Sequence, residues 1–300
     1  MRHQLTLTHI DAIARHGSIR RAAEALAITP SALNRRLLAL EDELGAPLFE
    51  RRARGVRLSA AGELFVHHAR RQIADMARVR ATIEDMKGAR RGHVGIAVDR
   101  SLPPARLAAM IAAHRREHPG VTFRLLPCDR GDAATLLGDY SVDLAVVLEP
   151  ENGGAFATLS TLELRPVALV PEGHVLADRE MLRLHDLLPH PVVLPPAGRS
   201  LRFLLDVAAL RRDVILTPAI EADRFAALAV LRDGDGLGVD IRVADDTNAE
   251  DAEGRHVIPF APTDVPPAFL HLGQLRDRPL PVPAARFAEL LSRRMAALGG

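Results

Sequence analysis

The sequence predicts a two-part protein. An N-terminal all-α domain with a winged helix-turn-helix arrangement continues into a long linker helix, and an α/β domain of two lobes follows. Three observations support this fold class. Short helical segments separated by turn signals fill the first 60 residues, an apolar repeat with steps of 3 and 4 comes next, and from Val94 onwards short apolar strands alternate with helices.

Composition sets the first limits on function. With 48% hydrophobic and 26% charged residues among 300, the chain has the balance of an ordinary globular protein. No stretch approaches the ~20 uninterrupted apolar residues of a membrane span. No basic-then-apolar leader opens the sequence either, so we expect a cytoplasmic protein with no membrane partner. The single cysteine, Cys128, excludes an internal disulfide and a Cys-paired zinc site, and we expect it to be a packed strand residue rather than a redox sensor.

Charge is divided unevenly along the chain. Residues 1–91 hold 17 basic and 10 acidic side chains, a net +7, whereas residues 92–300 hold 22 and 28, a net −6. Cationic surface is the main source of affinity for nucleic acid. The split therefore indicates that only the first part meets a polyanion, although a merely solvated basic surface would give the same count.

Three helices are predicted in the N-terminal region. The first ends at Gly17, and the second runs from Ile19 to Leu26 with Ser18 as its cap. Thr29-Pro30 is a strong start signal for the third helix, because Thr caps free N–H groups and Pro suits the first helical position. This third helix is predicted to end near Leu44.

The third helix carries a candidate reading face. Leu33, Leu37 and Leu40 form its buried stripe, so its polar side chains project elsewhere. Asn pairs bidentately with adenine, and Arg pairs with guanine or phosphate. If this helix stood alone, an ordinary exposed polar face would be the preferred explanation. The candidate DNA contacts in and before it are Ser18, Arg20, Thr29, Pro30, Ser31, Asn34, Arg35 and Arg36.

A short hairpin with a glycine at its tip follows this helix. Residues 51–57 read Arg-Arg-Ala-Arg-Gly-Val-Arg, which predicts a wing placed to hold phosphates or to enter a minor groove. The candidate DNA contacts in the wing are Arg51, Arg52, Arg54 and Arg57.

An ordered series of motif positions runs through the N-terminal region: Gly17-Ser18, Ala22-Ala23, Leu26, Thr29-Pro30-Ser31-Ala32-Leu33, Leu40-Glu41, Leu44-Gly45, Leu48-Phe49-Glu50-Arg51, Val56-Arg57-Leu58-Ser59 and Gly62. With these positions, over about residues 3–62, the sequence resembles the LysR-type transcriptional regulators. The resemblance implies a sequence-specific DNA-binding transcription regulator controlled by a small-molecule effector. Pro30 and Asn34 stand where the family most often has Gln and Ser, so the operator sequence cannot be carried over from a relative.

A coiled-coil seam is predicted between the two parts. Its a/d spacing implies a partner helix, and the family resemblance adds a dimer-forming linker helix, so that two reading heads meet an interrupted dyad operator. Gln72 within the seam either fixes register or is a tolerated polar residue. His67 and His68 lie on different helix faces and do not predict a metal site, and no cofactor is expected. The seam positions are Phe65, Ala69, Gln72, Met76, Val79 and Ile83.

The predicted domains are a DNA-binding domain over 1–60, a dimerising linker helix over 61–87, a hinge over 88–92 and an effector-binding domain over 93–300. Strand-helix alternation in the last indicates a mostly parallel sheet covered on both faces. This pattern is similar to the effector domain of the LysR family, a periplasmic-binding-protein type II arrangement. Lobe 1 is predicted over about 93–162 and 267–300, and lobe 2 over about 163–266. The predicted strands are 94–98, 121–126, 143–148, 164–170, 192–194, 214–216, 237–241, 257–260 and 269–275, and the predicted helices are 102–116, 133–137, 201–211, 224–231 and 283–298.

The ligand site is predicted in the cleft between the lobes, because ligands of open α/β sheets bind at the carboxyl ends of strands. The segments 99–101 and 196–200 are each predicted to open a helix there and to offer free N–H groups with a hydroxyl. The resemblance implies a carboxylate-bearing effector on Ser101 and Ser200, while capping of their own helices is an equal alternative. The candidate effector contacts are Arg100, Ser101, Arg130, Ser200 and Arg202.

Three later features bear on this domain. The glycines of residues 234–239 do not fit the Rossmann fingerprint, because the third comes too early and the stretch is predicted to enter a strand. Asp240 and Arg242 stand where the family has apolar residues, which puts the inward packing of that strand in question. Residues 245–255 are predicted to be a polar, acidic surface insertion.

Two other classes of protein compete with this prediction. An enzyme lacks support, since the sequence has no Gly-x-Ser-x-Gly elbow, no catalytic cysteine motif, no metal-spaced histidines and no P-loop. A solute-binding protein fused to a basic helix would be exported, which requires a signal peptide. The expected partners are double-stranded operator DNA, a small-molecule effector, a second copy in a dimer or tetramer, and RNA polymerase as a further candidate.

Overall fold

The computed structural model describes residues 2–52, 55–86, 91–151, 154–232, 236–243 and 255–299. Two compact units make up the chain: Met1–Gly88 with Asp139–Ser141, and Ala89–Gly138 with Val142–Gly300. Within the described residues, no helix is both long enough and apolar enough to cross a membrane.

The N-terminal unit has the predicted three helices, hairpin and long helix. Its core lies where α1, α2 and α3 cross over the hairpin and the start of α4, and Ala22 and Ala23 have no exposed surface, as their small size at a close crossing predicts. The elements are α1 (Arg2–His16), α2 (Ile19–Ala25), α3 (Pro30–Leu44), β1 (Phe49–Arg52), β2 (Gly55–Leu58) and α4 (Ala60–Met86).

Two glycines let the hairpin dock on this core. A Cβ at Gly55, whose φ is +99°, would lie 2.2 Å from the carbonyl oxygen of Gly17, and a Cβ at Gly62 would lie 1.9 Å from that of Leu48. Such distances are far inside van der Waals contact, so only glycine fits at either position. The backbone N–H of Val56 donates to the Gly17 carbonyl at 2.9 Å, which joins β2 to the turn between α1 and α2.

The C-terminal unit is an α/β domain built on a seven-stranded sheet. The described strands follow the order β10-β6-β11-β5-β3-β4, and β9 pairs with β6. A separate pair joins β7 to β8. The elements are β3 (Gly92–Asp99), α5 (Pro104–Glu117), β4 (Val121–Cys128), α6 (Asp132–Gly138), β5 (Leu144–Leu148), β6 (Phe156–Val170), a 3-10 turn (Leu184–Leu187), β7 (Val193–Leu194), α7 (Ser200–Arg211), β8 (Ile220–Glu221), α8 (Arg224–Arg232), β9 (Gly238–Val243), β10 (His256–Pro259), β11 (Ala268–Leu275) and α9 (Val282–Gly299).

The prediction of a mostly parallel sheet is wrong. Among the described strands of the seven-stranded sheet, only the pairs β3–β4 and β3–β5 are parallel, whereas the pairs β5–β11, β11–β6, β6–β9 and β6–β10 are antiparallel. The reason is β6, a 15-residue strand that begins eight residues before the predicted one. Its first part, from Phe156 to Leu164, pairs with β11, and its second part pairs with β9 and β10, so late strands join it without helical crossovers.

Smaller corrections concern the second half of this unit. The predicted strand 214–216 is absent, and the pairing strand is β8, four residues further on, which runs beside β7. Arg255, predicted to end a surface insertion, is buried and donates to the carbonyl of Leu228 at 3.2 Å. The rest of that insertion, 245–254, lies outside the described residues, as do Gly234 and Lys87.

Cys128 is a packed strand residue, as predicted. It ends β4 and is fully buried, and this burial raises the pKa of its thiol to about 12. The thiol therefore stays protonated and inert at neutral pH.

Candidate DNA interface and ligand cleft

The start of α3 is capped and exposed. Thr29 stands at the N-cap in extended conformation, its Oγ1 accepts from the N–H of Ala32 at 3.3 Å, and Pro30 occupies the first turn. Thr29, Pro30 and Ser31 are all exposed. The capping bond uses the Thr29 hydroxyl within the protein, while the first turn of the helix stays open to a binding partner.

The faces of α3 are divided as predicted. Leu33 and Leu37 are buried and Leu40 is half-buried, whereas Arg35 is exposed and Asn34 is half-buried. A half-buried Asn next to an exposed Arg, one turn into a helix with an open start, matches what a groove-reading helix presents to base edges.

Arg36 is held against α1. One of its guanidinium nitrogens lies 3.0 Å from Nδ1 and 3.2 Å from Nε2 of His9, a buried side chain. Burial, assisted by the nearby Arg36, lowers the pKa of His9. A neutral imidazole accepts a hydrogen bond from the guanidinium, so Arg36 has a partner inside the protein, unlike its neighbour Arg35 on the open face.

The second helix presents a cap and an ion pair. Ser18 accepts from the N–H of Arg21 at 3.4 Å, as predicted for an N-cap, and the Nε of Arg20 lies 3.2 Å from a carboxylate oxygen of Glu24 on the exposed surface. An exposed i,i+4 pair of this kind is weak, so Arg20 is readily available to a phosphate.

The hairpin is an antiparallel pair with arginines on its surface. Arg51, Arg52 and Arg57 are exposed, while Arg54 lies outside the described residues. The base of the hairpin is fixed by Glu41 on α3, whose carboxylate accepts from the N–H groups of Leu48 at 2.6 Å and Phe49 at 3.1 Å. A carboxylate that receives two backbone N–H groups is a firm tie, so α3 and the hairpin move as one piece.

The predicted seam of α4 falls into two parts. Ala69 has no exposed surface and Phe65 packs against the core of the N-terminal unit, so both are used within their own protomer. Met76, Val79 and Ile83 are 42%, 47% and 45% exposed. The apolar surface open to a partner helix therefore lies in the second half of α4, where the exposed Gln72 marks its beginning.

In the C-terminal unit the two serines that were predicted to contact the effector belong to one set of hydrogen bonds. Ser200 donates its hydroxyl proton to Asp99 Oδ2 at 2.6 Å and accepts from the N–H of Arg130 at 3.2 Å. Ser101 accepts from the N–H of Leu201 at 3.1 Å. We call the set Asp99, Ser101, Ser200 and Leu201 the latch, because it joins the end of β3 to the start of α7.

Neither serine caps its own helix, so that alternative is wrong. The helix α5 begins at Pro104, three residues after Ser101, and its N-cap residue makes no side-chain bond. Ser200 is the first residue of α7, whose N-cap is Arg199. The hydroxyl of Ser101 instead satisfies a free N–H group in the first turn of α7.

Asp99 is the central group of the latch, and sequence reasoning missed it. It is 1% exposed and accepts three hydrogen bonds, from Ser200, from the N–H of Ser101 at 2.9 Å and from the N–H of Leu148 at 3.1 Å. Burial raises the pKa of its carboxyl group, and the hydrogen bonds oppose that rise. Its position at the end of a predicted strand was the available signal.

Ion pairs surround the latch. Arg199 binds Asp129 at 2.8 Å and Asp223 at 3.0 Å, and Arg100 lies 3.5 Å from Asp129. The remaining cavity beside them has a volume of about 20 Å³, room for roughly one water molecule. Of the predicted effector contacts, only Arg100 and Ser101 line this cavity.

Arg130 and Arg202 are engaged elsewhere. The guanidinium of Arg130 stacks 3.9 Å from the centroid of the Phe203 ring and donates to the carbonyl of Glu149 at 3.0 Å. Arg202 binds Asp206 at 2.8 Å and Glu221 at 3.2 Å. Both side chains are therefore held by the protein itself.

Asp240 is buried and fully paired. The strand β9 therefore packs inward although this charged residue stands where the family has an apolar one. Its carboxylate binds Arg224 through two bonds, at 3.0 and 2.9 Å, and Arg242 at 2.8 Å. A buried charge needs such partners, and Arg224 at the start of α8 was not identified from the sequence.

Comparisons with known proteins agree on one family. Residues 6–63 match the family described as "Bacterial regulatory helix-turn-helix protein, lysR family", and residues 87–296 match "LysR substrate binding domain". The RuBisCO operon transcriptional regulator of Allochromatium vinosum is 28% identical over 230 residues, 76% of this chain and 76% of that protein.

Solved structures share the fold over almost the whole chain. A full-length OxyR variant from Pseudomonas aeruginosa has a TM-score of 0.68 at 18% identity and covers 97% of each chain. Full-length CbnR complexed with its target DNA has a TM-score of 0.64 at 20% identity, over 97% of this chain and 99% of that chain.

Proposed function

We propose that this chain, which belongs to the LysR family of DNA-binding transcription regulators, reads base edges with α3 and holds the adjacent backbone with its hairpin. The observation that carries the proposal is the exposed first turn of α3 beside an arginine-bearing hairpin, tied together through Glu41. Asn34 and Arg35 are the proposed base contacts. Arg51, Arg52, Arg54 and Arg57 are the proposed phosphate or minor-groove contacts, with Ser18, Arg20, Thr29 and Ser31 at the flanks.

The proposed target is an interrupted dyad operator, bound by two copies of the chain. A recognition helix from each copy would occupy one half-site, as dimeric helix-turn-helix proteins do. Full-length CbnR, which shares the fold, has been solved in complex with its target DNA, and this supports DNA as the partner. The proposed place of action is the cytoplasm, and RNA polymerase is a further proposed partner.

Two substitutions test the DNA contacts. Asn34→Ala should change which base is preferred at one position of each half-site, because it removes a base-edge contact. Arg57→Ala should weaken binding to all sequences comparably and reduce its salt dependence, because it removes a phosphate contact. Footprinting and binding curves on the promoter region of the protein's own gene measure both effects, with Arg115→Ala on the exposed surface of α5 as a matched control. Equal loss on every sequence from Asn34→Ala contradicts its reading role, and sequence-indifferent binding by the wild type contradicts the function.

The effector is proposed to enter the cleft held by the latch. A small carboxylate has the same chemistry as Asp99 and would compete with it for the hydroxyl of Ser200 and for the N–H groups at the start of α7. Arg100, Arg130 and Arg202 would supply charge once their present ion pairs rearrange. Binding then shifts the balance between closed and open arrangements by the difference in affinity for the two.

A thermal-shift series on the full chain tests this effector class. Small aliphatic and aromatic carboxylates should raise the Tm in the wild type, with a smaller rise in Ser200→Ala. The isosteric amides serve as controls. A compound that shifts both proteins equally binds elsewhere, and a series without any shift contradicts the carboxylate proposal.

No catalytic role is proposed for the Ser200–Asp99 pair. A serine nucleophile needs a base that takes its proton. Burial raises the pKa of Asp99, which favours its neutral form over the carboxylate that would act as a base, and the described latch contains no histidine to act between the two. The short bond is better explained as a closure between two segments of the fold.

A further inference from the structure

The C-terminal unit holds a second cavity, which shares no lining residue with the small cavity beside the latch. It has a volume of about 390 Å³, whereas the cavity beside the latch holds about 20 Å³. Pockets that bind small molecules have volumes of about 300–1,000 Å³. Of these two cavities, only the second therefore has room for an organic ligand.

The walls of this cavity are aliphatic. They come from the start of α5, from β5, β6, β9, β10 and β11, and from the last turns of α9. The inner wall of the cavity consists of the buried side chains of Val146, Leu162, Leu270 and Leu291. Such a surface favours an apolar ligand, because removal of apolar area from water is the main driving force for binding.

The polar groups of the cavity are all basic. Arg106, Arg242 and Arg294 line it, and no acidic side chain does so among the described residues. Arg106 and Arg294 are exposed, which places them at the mouth, and Arg242 already binds Asp240. The start of α5 also lies here, where Pro103 and Pro104 leave the first turn without a side-chain cap. Charge at the mouth therefore favours an anion.

From this cavity we propose a second ligand site, distinct from the cleft at the latch, that binds a hydrophobic carboxylic acid. The apolar chain or ring occupies the aliphatic depth, and the carboxylate lies at the mouth beside Arg106 and Arg294. The site does not depend on the DNA-binding role of the chain, and the DNA-binding role does not depend on the site.

The site shares two chain segments with the cleft. Val98 and Leu102 line the cavity, while Asp99 and Ser101 between them form part of the latch. On β9, Ile241 lines the cavity and the adjacent Asp240 lines the small space beside the latch. A ligand in the cavity therefore contacts the same backbone that closes the cleft.

Octanoate is the probe for this site, with octanamide as its neutral analogue. Calorimetry on the full-length protein should show saturable binding of one octanoate per chain and much weaker binding of octanamide. The double variant with Arg106→Gln and Arg294→Gln should weaken octanoate binding about tenfold, the loss expected for charge-assisted bonds. Arg293→Gln, on the exposed surface of α9 and outside the cavity, is the matched control and should bind as the wild type does.

A filling variant separates this cavity from other sites. Met110→Trp, on the wall at α5, should abolish octanoate binding, and because the chain has no other tryptophan, its emission reports whether the ring lies in apolar surroundings. Ser200→Ala should leave octanoate binding unchanged. Absence of binding to the wild type, equal binding of octanamide, loss in Ser200→Ala, or full binding in a folded Met110→Trp each overturns the proposal. A change of oligomeric state in Met110→Trp without octanoate binding to the wild type would assign the cavity to a contact between copies instead.

Discussion

At the scale of single residues, Asp99 is the group on which the link between the end of β3 and the start of α7 depends. This carboxyl group lies among backbone N–H groups and a serine hydroxyl, in the kind of place where an anionic ligand would bind. Burial raises its pKa above the usual value of 3.8, so the folded protein holds the proton at a pH where the unfolded chain has released it.

The raised pKa of Asp99 predicts a pH-dependent effect of Asp99→Asn. For a carboxyl whose folded pKa is raised, stability falls as pH rises from the unfolded value of 3.8 through the folded pKa, and it is constant above that. Relative to the wild type, Asp99→Asn should therefore gain free energy of unfolding across that window and then keep a constant difference. In the variant an amide N–H group also faces the N–H of Ser101. The free energy of unfolding of Asp99→Asn is therefore expected to be lower than that of the wild type, even though the difference between them narrows in that window.

The difference in free energy of unfolding between the two proteins is measured by urea unfolding of the full chain at a series of pH values, from the transition of the C-terminal unit. Asp143, whose pKa is also raised by burial, is present in both proteins and cancels in the comparison. Parallel profiles for the wild type and Asp99→Asn would show that Asp99 does not titrate differently in the folded protein.

Residue chemistry could be predicted where its cause is local. The exposed Arg35 and the capping Thr29 follow from helical spacing and a start signal within a few positions. The bond between Ser200 and Asp99 joins residues 101 positions apart. No local pattern encodes such a pairing, so the two serines could be named as a pair of interest but their shared partner could not.

At the scale of elements, the helices of the N-terminal unit were predictable because each has its own start, stop and apolar stripe. Gly17 and Gly45 end α1 and α3 in the left-handed region that favours glycine, with φ of +57° and +65°. The hairpin was predictable from its tip. Its docking through Gly62 and Glu41 was not, because both contacts depend on the tertiary path of the chain.

The sheet of the C-terminal unit shows where pattern reasoning stops. Alternating strands and helices correctly predicted β3, β4 and β5 as a parallel group. After β6 the chain returns through β9, β10 and β11 with antiparallel pairing, although these strands have the same apolar runs as parallel ones. Buried parallel and buried antiparallel strands have the same apolar sequence pattern. The direction of pairing could therefore be determined only from the structure.

At the scale of the whole molecule, charge and apolar surface assign different tasks to the two parts. The net +7 lies in residues 1–91, which include α3 and the hairpin, and the net −6 lies in the remainder. A single N-terminal unit with this surface would bind DNA mainly through phosphates, with limited discrimination between base sequences. Two linked heads gain affinity for a paired site through the high effective concentration of the second head.

The exposed half of the α4 seam predicts how the heads are linked. Val79→Asp places a charge among Met76, Val79 and Ile83, which are exposed in a single chain and spaced for a coiled coil. The variant should be monomeric, or a much weaker dimer, in analytical ultracentrifugation at concentrations where the wild type is dimeric or larger. Its affinity for a two-half-site operator should fall by about a hundredfold or more, since the linkage between heads is lost.

Ala77→Asp provides the matched control for this prediction. Ala77 is exposed on the same helix, two residues from Val79 and away from the apolar seam, so the same charge there should leave both the mass and the operator affinity unchanged. A single half-site distinguishes loss of linkage from damage to the head, because Val79→Asp should bind it as the wild type does. If Val79→Asp retains the wild-type mass, the chain associates through a different surface and α4 is not the dimer seam.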